Sequence, residues 1–564
     1  MIKEQKQQEN KKTTKKSKEL NFVILAIILI ILFCISITPV TFQNDTYYTI
    51  KIGEHIKNYG IDMLDPFSWH ENLSYTYPHW LYDFLTYNIY ELFSFKGIYI
   101  VTCILSAILG ISIFAVNNKL TKSKGISFVI TIGALYLIKP YITARAQLVT
   151  FILFIWTIYF IEKFLENKQK RYAIGLIAIS ILIANLHVAV WPFFFVLFLP
   201  YIGEYLIAVI ADTILYNKIR IFKLKTRIKI LEKKSKNLEK IEKLKKQLEE
   251  TQTRTAKIKI KREEENKNPY KLKIIRNENV KWLILIMIIC AFTGLLTPIG
   301  DTPYTYLYKT MQGNTTQNIS EHLPMTLADN TNIICTLIIF LAILIFTKTK
   351  IRLSDLFMIS GLLYLMLMTR RQQSMFVLIG SVVLTRLIVN MIKCYNKETL
   401  VEIEKVTKNI FVGIALSVLM ILMSYYFIKP KLDDTYVDES TYPVAACDYI
   451  LENIDLTNAK FYNEYNYGSY MLFRGIPVFI DSRADLYAPE FSGNEDEDIF
   501  SDFINTSSIS RFYEDTFKKY NITHIICYKN SKMNMLMTKT KDARYNELYS
   551  DNYFVIYERL NLNE

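Results

Sequence analysis

Glycine-rich phosphate loops, Cys-x-x-Cys pairs and compact metal-ligand spacings are all missing from this 564-residue chain. Without a Gly-rich loop the C-terminal part has no nucleotide cradle of the usual kind. The seven cysteines show neither redox nor zinc spacing. Cys34, Cys103, Cys290, Cys335 and Cys394 fall in or beside apolar runs, which leaves Cys447 and Cys527 as a disulfide or as two isolated thiols. No convincing internal repeat is found, against the pattern of many secondary transporters. No small-x-small cleavage site follows the first apolar run, which is too long for a signal-peptide core. A retained signal-anchor is expected there.

What the chain does have is long apolar runs. A membrane span needs roughly 20 mainly apolar residues. Strong candidates are 21–41, 98–116, 281–299, 331–347, 372–393 and 409–428. Weaker ones are 126–139, 147–162, 172–186, 192–211 and 353–369, for about eleven spans. The formal charge of +14 invites a nucleic-acid partner. Its distribution argues against one. Lysine and arginine crowd into 1–18, 117–124, 163–171, 217–281, 347–352 and 393–408. With alternate crossings these segments all fall on one side, the cytoplasm by the positive-inside rule. The expectation is a multi-pass plasma-membrane protein with a cytoplasmic N-terminus, in contact with membrane lipids.

Five regions follow from this reading: a basic tail 1–20, a membrane region 21–211, an insertion 212–280, a second membrane region 281–428 and an extracytoplasmic domain 429–564. The first external loop is 42–96. In the insertion, Leu231, Leu238, Ile241, Leu244 and Leu248 form a narrow apolar seam among Lys and Glu. It reads as a helical hairpin or short coiled coil. It serves either a cytoplasmic partner or self-association through 217–265, or simply as a solvated helix. In the last region, strands are expected at 460–465, 477–481, 524–528 and 553–557, with helices at 443–453 and 509–520. Such interleaving is a small α/β layer. Tyr467-Gly468-Ser469-Tyr470 reads as a tight turn.

Acids, histidines and aromatics gather in the first external loop, directly after the anchor. They include Asp45, Asp65, His79 and Asp83. This suits chemistry on a lipid-borne substrate at the membrane surface. Arg145, His187, Arg370 and Arg371 stand at expected external ends, against the positive-inside trend. An arginine fork matches phosphate oxygens; the bland alternative is snorkelling toward headgroups. Asp65 before Pro66 either starts a turn or is a secondary acid. His79 orients an acceptor or a phosphate, or is a packed ring. Asp83 reads as structural. Glu321 is a second acid, a metal ligand or a solvated loop residue. Asp481, Arg483 and Asp485 follow an expected strand. They form a local ion pair or hold an acceptor.

An ordered set of motifs resembles the C-type (GT-C) fold glycosyltransferases, in a bacterial multispan branch with a C-terminal soluble domain. The set is Asp45-Thr46-Tyr47-Tyr48, Gly53, Asp65-Pro66-Phe67-Ser68, Trp80-Leu81, Arg145-Ala146-Gln147, Asn185-Leu186-His187, Pro298-Ile299-Gly300, Glu321-His322 and Arg370-Arg371-Gln372-Gln373. It ends with Tyr465-Asn466-Tyr467-Gly468-Ser469-Tyr470 and Asp481-Ser482-Arg483-Ala484-Asp485. His79 stands where that pattern usually has Glu, and Thr49 where it often has His. The resemblance covers most of the chain except the tail and 212–280.

It implies an inverting transferase. A sugar would move from a polyprenyl-phosphate carrier to an envelope polysaccharide, lipid or protein. An acid early in the first external loop would be the base, which is Asp45 here. No cofactor is demanded, and a divalent metal stays open. A lipid or polysaccharide flippase and a non-catalytic envelope scaffold are the competing expectations.

Overall fold

The computed structural model describes residues 20–211, 214–233, 238–267, 272–313, 315–328, 330–492 and 497–560. The expected basic tail lies outside the described residues, apart from Leu20. Every apolar run expected as a span is largely helical; a segment that crosses hydrocarbon must satisfy its backbone polar groups within itself. The first is α1 (Phe22–Ile37). Next come α2 (Asn44–Tyr59), α3 (Trp80–Thr121), α4 (Lys124–Ile138), α5 (Ala146–Asn167) and α6 (Lys170–Leu186). Then follow α7 (Trp191–Val196), α8 (Leu199–Ala211), α9 (Ile214–Lys233), α10 (Leu238–Lys267) and α11 (Val280–Ala291). After these come α12 (Thr302–Gln312), α13 (Thr331–Phe346), α14 (Leu353–Met368), α15 (Gln373–Tyr395), α16 (Lys397–Val406) and α17 (Ile410–Ile428).

Among the described residues, five helical stretches have the length and apolarity to cross a membrane: Trp80–Thr121, Ala146–Asn167, Val188–Ile210, Arg370–Tyr395 and Ile410–Lys431. Phe22–Ile37, Val280–Leu295, Thr331–Phe346 and Leu353–Met368 are equally apolar but shorter. Sixteen helical residues rise about 24 Å, less than a ~30 Å hydrocarbon core. The chain is a helical membrane protein.

α3 is bent at Ser94, whose backbone leaves the helical region (φ 54°, ψ −158°). Its first half packs on α2, and its second half joins the apolar core of the bundle. α2 is the amphipathic helix of the first loop, with Tyr47, Tyr48, Ile50 and Ile52 buried. Gly53 lets the two helices touch: a Cβ there would stand 2.1 Å from the Asp83 carbonyl oxygen.

At the other end of the bundle a buried ionic network ties four helices. Glu162 on α5 meets Arg352 beside α14 and Arg386 on α15, both at 3.0 Å. Arg386 also meets Asp355 on α14, and Arg352 lies 3.6 Å from Glu204 on α8. In the insertion, α9 and α10 pack as a hairpin along Leu224, Ile228 and Ile241. Lys245 and Glu232 bridge them at 2.8 Å. Leu238, expected in the seam, is instead 86% exposed at the start of α10.

The C-terminal region contains α18 (Val444–Asn453), α19 (Tyr465–Phe473), α20 (Ile499–Ser507), α21 (Tyr513–Tyr520) and α22 (Lys532–Thr540). Its strands are β1 (Phe461–Tyr462), β2 (His524–Tyr528), β3 (Tyr545–Ser550) and β4 (Phe554–Arg559), in the order β1-β2-β4-β3. β1 runs parallel to β2, and the other neighbours are antiparallel. Three expectations change. Residues 467–470 lie inside α19 and not in a turn; Gly468 is needed because a Cβ would sit 2.0 Å from the Ile480 carbonyl oxygen. Residues 477–481 join no strand of the sheet, because Val478 bridges Ser68 of the first loop instead. β3 was not foreseen; its exposed, polar alternation is a weak strand signal. Cys447 and Cys527 are free and buried, hence isolated thiols.

One apolar core runs through both the C-terminal region and the first loop, from Phe42 to Tyr77. The polar fastening between them is Arg483. Its guanidinium is 3% exposed and binds Asp481 through Nε (2.9 Å) and Nη2 (2.7 Å), and Asp65 through Nη1 (2.7 Å). The Trp69 indole N–H donates to the Phe461 carbonyl at 2.9 Å, and the His70 imidazole to that of Phe479 at 2.9 Å.

Two outcomes follow from this seam. Arg483→Ala strands two buried carboxylates, and breaking such a pair costs about 3–5 kcal/mol. A large drop in the thermal midpoint of the purified full chain is expected; a drop within experimental scatter would remove Arg483 from this role. Burial holds His70 neutral, with its pKa lowered from 6.5 to about 4. An unfolded chain takes up a proton on this ring that the folded one refuses, so stability is lost as pH falls from about 6.5 toward about 4. The midpoint of the parent should fall across that window, and His70→Gln should flatten the fall.

Candidate functional site

The helix ends opposite the buried ionic network enclose a cavity of about 330 Å³. Four helix or turn termini each supply one of its polar side chains. Helix termini leave backbone groups unpaired, so side chains that bond or balance them collect there. Asp45 lies in the first turn of α2, where a carboxylate opposes the positive helix end. Arg145 precedes α5, His187 ends α6, and Arg371 sits in the tight turn Arg370–Gln372 before α15. The loop bearing Glu321 and His322 is tied to that turn. The Arg371 amide donates to the Glu321 carbonyl, and the Arg370 amide to the Leu323 carbonyl, each at 3.0 Å. The first loop adds Tyr48, Thr49, Tyr75 and His79, and the C-terminal region adds Tyr465, Ser482 and Asp485.

The charges are arranged in a row. Arg145 bonds Asp45 through Nη2 and Glu321 through Nη1, the latter at 3.2 Å. Its guanidinium is thus matched by two carboxylates from separate elements. The Arg371 guanidinium carries no ion pair among the described residues, although it lines the same cavity. Burial, with the Arg371 charge beside it, lowers the His322 imidazole from its ordinary pKa and favours its neutral form. His187 is 3% exposed, and its Nδ1 lies 3.0 Å from the Thr150 hydroxyl. Its ring meets that of His79 edge to face, with centroids 5.6 Å apart. Asp485 accepts from Tyr306 at 2.7 Å and from Thr315 at 3.0 Å.

Of the residues singled out in the sequence, Asp45, His79, Arg145, His187, Glu321, Arg371, Arg483 and Asp485 line this one cavity. The others lie elsewhere. Arg370 points away, toward the Pro324 carbonyl (3.4 Å) and the Thr326 hydroxyl (3.5 Å). Asp65 is buried in the Arg483 pair and caps the Ser68 amide at 2.9 Å, so no ligand reaches it. Asp481 is 0% exposed and accepts from Arg483 and, at 2.6 Å, from Tyr487. Arg483 touches the cavity wall, but its fork is spent on the two acids. These three are structural here, because every oxygen or nitrogen that matters is already engaged. Tyr48 belongs to the Asp45-Thr46-Tyr47-Tyr48 motif, whereas Tyr75 and Tyr306 were missed; single tyrosines in an aromatic-rich chain carry no spacing signal. Among the described residues no cluster of acids, histidines and cysteines has metal-binding geometry.

No family model matches the chain, and no curated protein matches it. The cavity itself therefore carries the functional argument.

Proposed function

We propose that this cavity binds a sugar carried on a polyprenyl phosphate and transfers the sugar to an acceptor at the extracytoplasmic membrane face. In this reading the protein has a C-type transferase architecture. The N-terminus is cytoplasmic, and the first loop and C-terminal region are outside. The observation that carries the reading is the convergence of Arg371, Arg145 and three histidines, His79, His187 and His322, on one hollow at the bundle end. A small pocket of about 20 Å³ adjoins it, sharing Gln147, His187 and Arg371 with the cavity and lined further by Phe151, Phe154, Phe193 and Met375. It has room for about one water molecule. An isoprenoid tail on a phosphate at Arg371 would have to part those apolar side chains. An arginine fork binds a phosphate through paired charge-assisted hydrogen bonds.

Roles follow from what is engaged. Arg371 takes the phosphate. Arg145 is the second cation, held in place by Asp45 and Glu321. Asp45, the base implied by the resemblance, spends Oδ2 on Arg145, so its work here is to anchor that cation. Asp485 with Tyr306 forms the polar wall where a sugar or acceptor hydroxyl can bond. A flippase reading would want a polar route along the bundle, whereas these polar groups gather at one end.

The test is binding of a fluorescent polyprenyl monophosphate to the full chain in nanodiscs. Losing charge-assisted bonds worth about 1.5–3 kcal/mol each predicts at least a tenfold weaker Kd in Arg371→Ala. The matching polyprenyl alcohol should bind far more weakly than the phosphate. Equal binding of alcohol and phosphate, or an unchanged Kd in Arg371→Ala, would sink the reading.

A further inference from the structure

Behind the cavity wall lies a carboxylate that nothing above uses. Asp83 stands in the first turn of α3, its side chain 0% exposed. Neither of its oxygens accepts a well-formed hydrogen bond, and its one ionic contact is a long approach from His79. A buried carboxylate without a close donor is costly, so such a group either holds a proton or awaits a donor. Its polar neighbours are the Thr49 side chain and His79, whose Nδ1 lies 3.5 Å from Oδ2.

His79 and Asp83 are one helical turn apart, and the Asp83 amide donates to the His79 carbonyl at 2.9 Å. The imidazole therefore sits between the buried acid and the hollow, with 17% of its side chain exposed. Tyr48 stacks on it (centroids 6.1 Å apart, planes 27° apart), and the His187 ring abuts it. Two residues earlier Tyr77 holds a left-handed backbone (φ 46°), an uncommon conformation for a bulky residue. The Val188 amide clamps the Pro78 carbonyl at 2.8 Å, which fixes where His79 enters the site.

We propose that Asp83 is a positioning residue that holds His79 as its Nδ1–H tautomer, so that an unprotonated Nε2 faces the cavity as its proton acceptor. A small ring rotation turns the 3.5 Å approach into a hydrogen bond. The carboxylate then also stabilises the imidazolium that forms when Nε2 takes a proton. The substrate side of this role rests on the transfer reading. There, the acceptor hydroxyl gives its proton to Nε2, and its oxygen forms the new bond to the anomeric carbon. The anomeric carbon–oxygen bond to the carrier breaks, and the phosphate leaves with that electron pair. In this proposal His79 takes the proton in place of Asp45, whose Oδ2 holds Arg145.

The experiment is ¹⁵N NMR of the histidine-labelled full chain in nanodiscs. The chain has six histidines, and His79→Gln identifies the signal. The expected result is a protonated Nδ1 and a bare Nε2 on His79. In Asp83→Asn, whose amide can donate to Nδ1, the proton should move to Nε2. A protonated Nε2 in the parent chain at neutral pH overturns the proposal, and this measurement needs no variant to fold. An unmoved tautomer in an Asp83→Asn protein of unchanged thermal midpoint overturns it as well. Diethyl pyrocarbonate supplies an independent readout: Nε2 of His79 should be acylated in the parent and lose that reactivity in Asp83→Asn. Adding polyprenyl monophosphate should shift the Nε2 signal and slow the acylation. If the tautomer stands but the phosphate changes neither, the pair is upheld and the transfer reading alone fails.

Discussion

The buried Arg483 fork is the constraint on which the site depends. A guanidinium taken out of water must find acceptors for its donors, or the desolvation cost goes uncompensated. Here one acceptor comes from Asp65 in the first loop and the other from Asp481 in the C-terminal region. Neither segment can satisfy it alone. Docking the two is therefore the condition for pairing the charge. The Trp69 and His70 contacts and the shared aromatic core act along the same seam. The roof of the cavity, Tyr465 and Ser482 to Asp485, hangs from that fastening.

The bundle below is held by the same physics at its far end. Glu162, Arg352, Arg386, Asp355 and Glu204 pair across four helices, with the Tyr201 hydroxyl donating to Glu162 at 2.9 Å. Between the two polar ends lies a continuous apolar core. The charged groups of the cavity stand at or beside helix termini, where unpaired backbone groups already favour charged neighbours, whereas Glu162, Glu204 and Arg386 lie within α5, α8 and α15. The hollow opens at one terminus, lined by helix ends, the first loop and the C-terminal region.

Within that hollow the charges are graded. Arg145 is matched by two carboxylates and is a fixed part of the wall. Arg371 has no carboxylate of its own among the described residues. An anion that entered the hollow would meet Arg371 without first breaking an ion pair. His322 beside it, in its favoured neutral form, adds a hydrogen-bonding group without a competing charge.

Much of this was legible in the chain. Helicity of the apolar runs follows from composition, since hydrocarbon leaves the backbone no other way to pair locally. The one-sided crowding of lysine and arginine, and the gathering of Asp45, His79, Arg145, His187, Glu321 and Arg371 near expected helix ends, are also written in order along it. What tertiary structure decided is which of those groups remain open. Asp65, Asp481 and Arg483 look in sequence like a ligand site, but once buried together they satisfy one another. Asp83 reads as structural in sequence, yet packing leaves it with only a 3.5 Å approach from His79. Gly468 reads as a turn residue until the close approach of Ile480 shows that it is a helix residue denied a side chain. The difference is physical. Local pattern sets periodicity and burial propensity, whereas the partner of a charged group comes from segments hundreds of residues away and exists only after they dock.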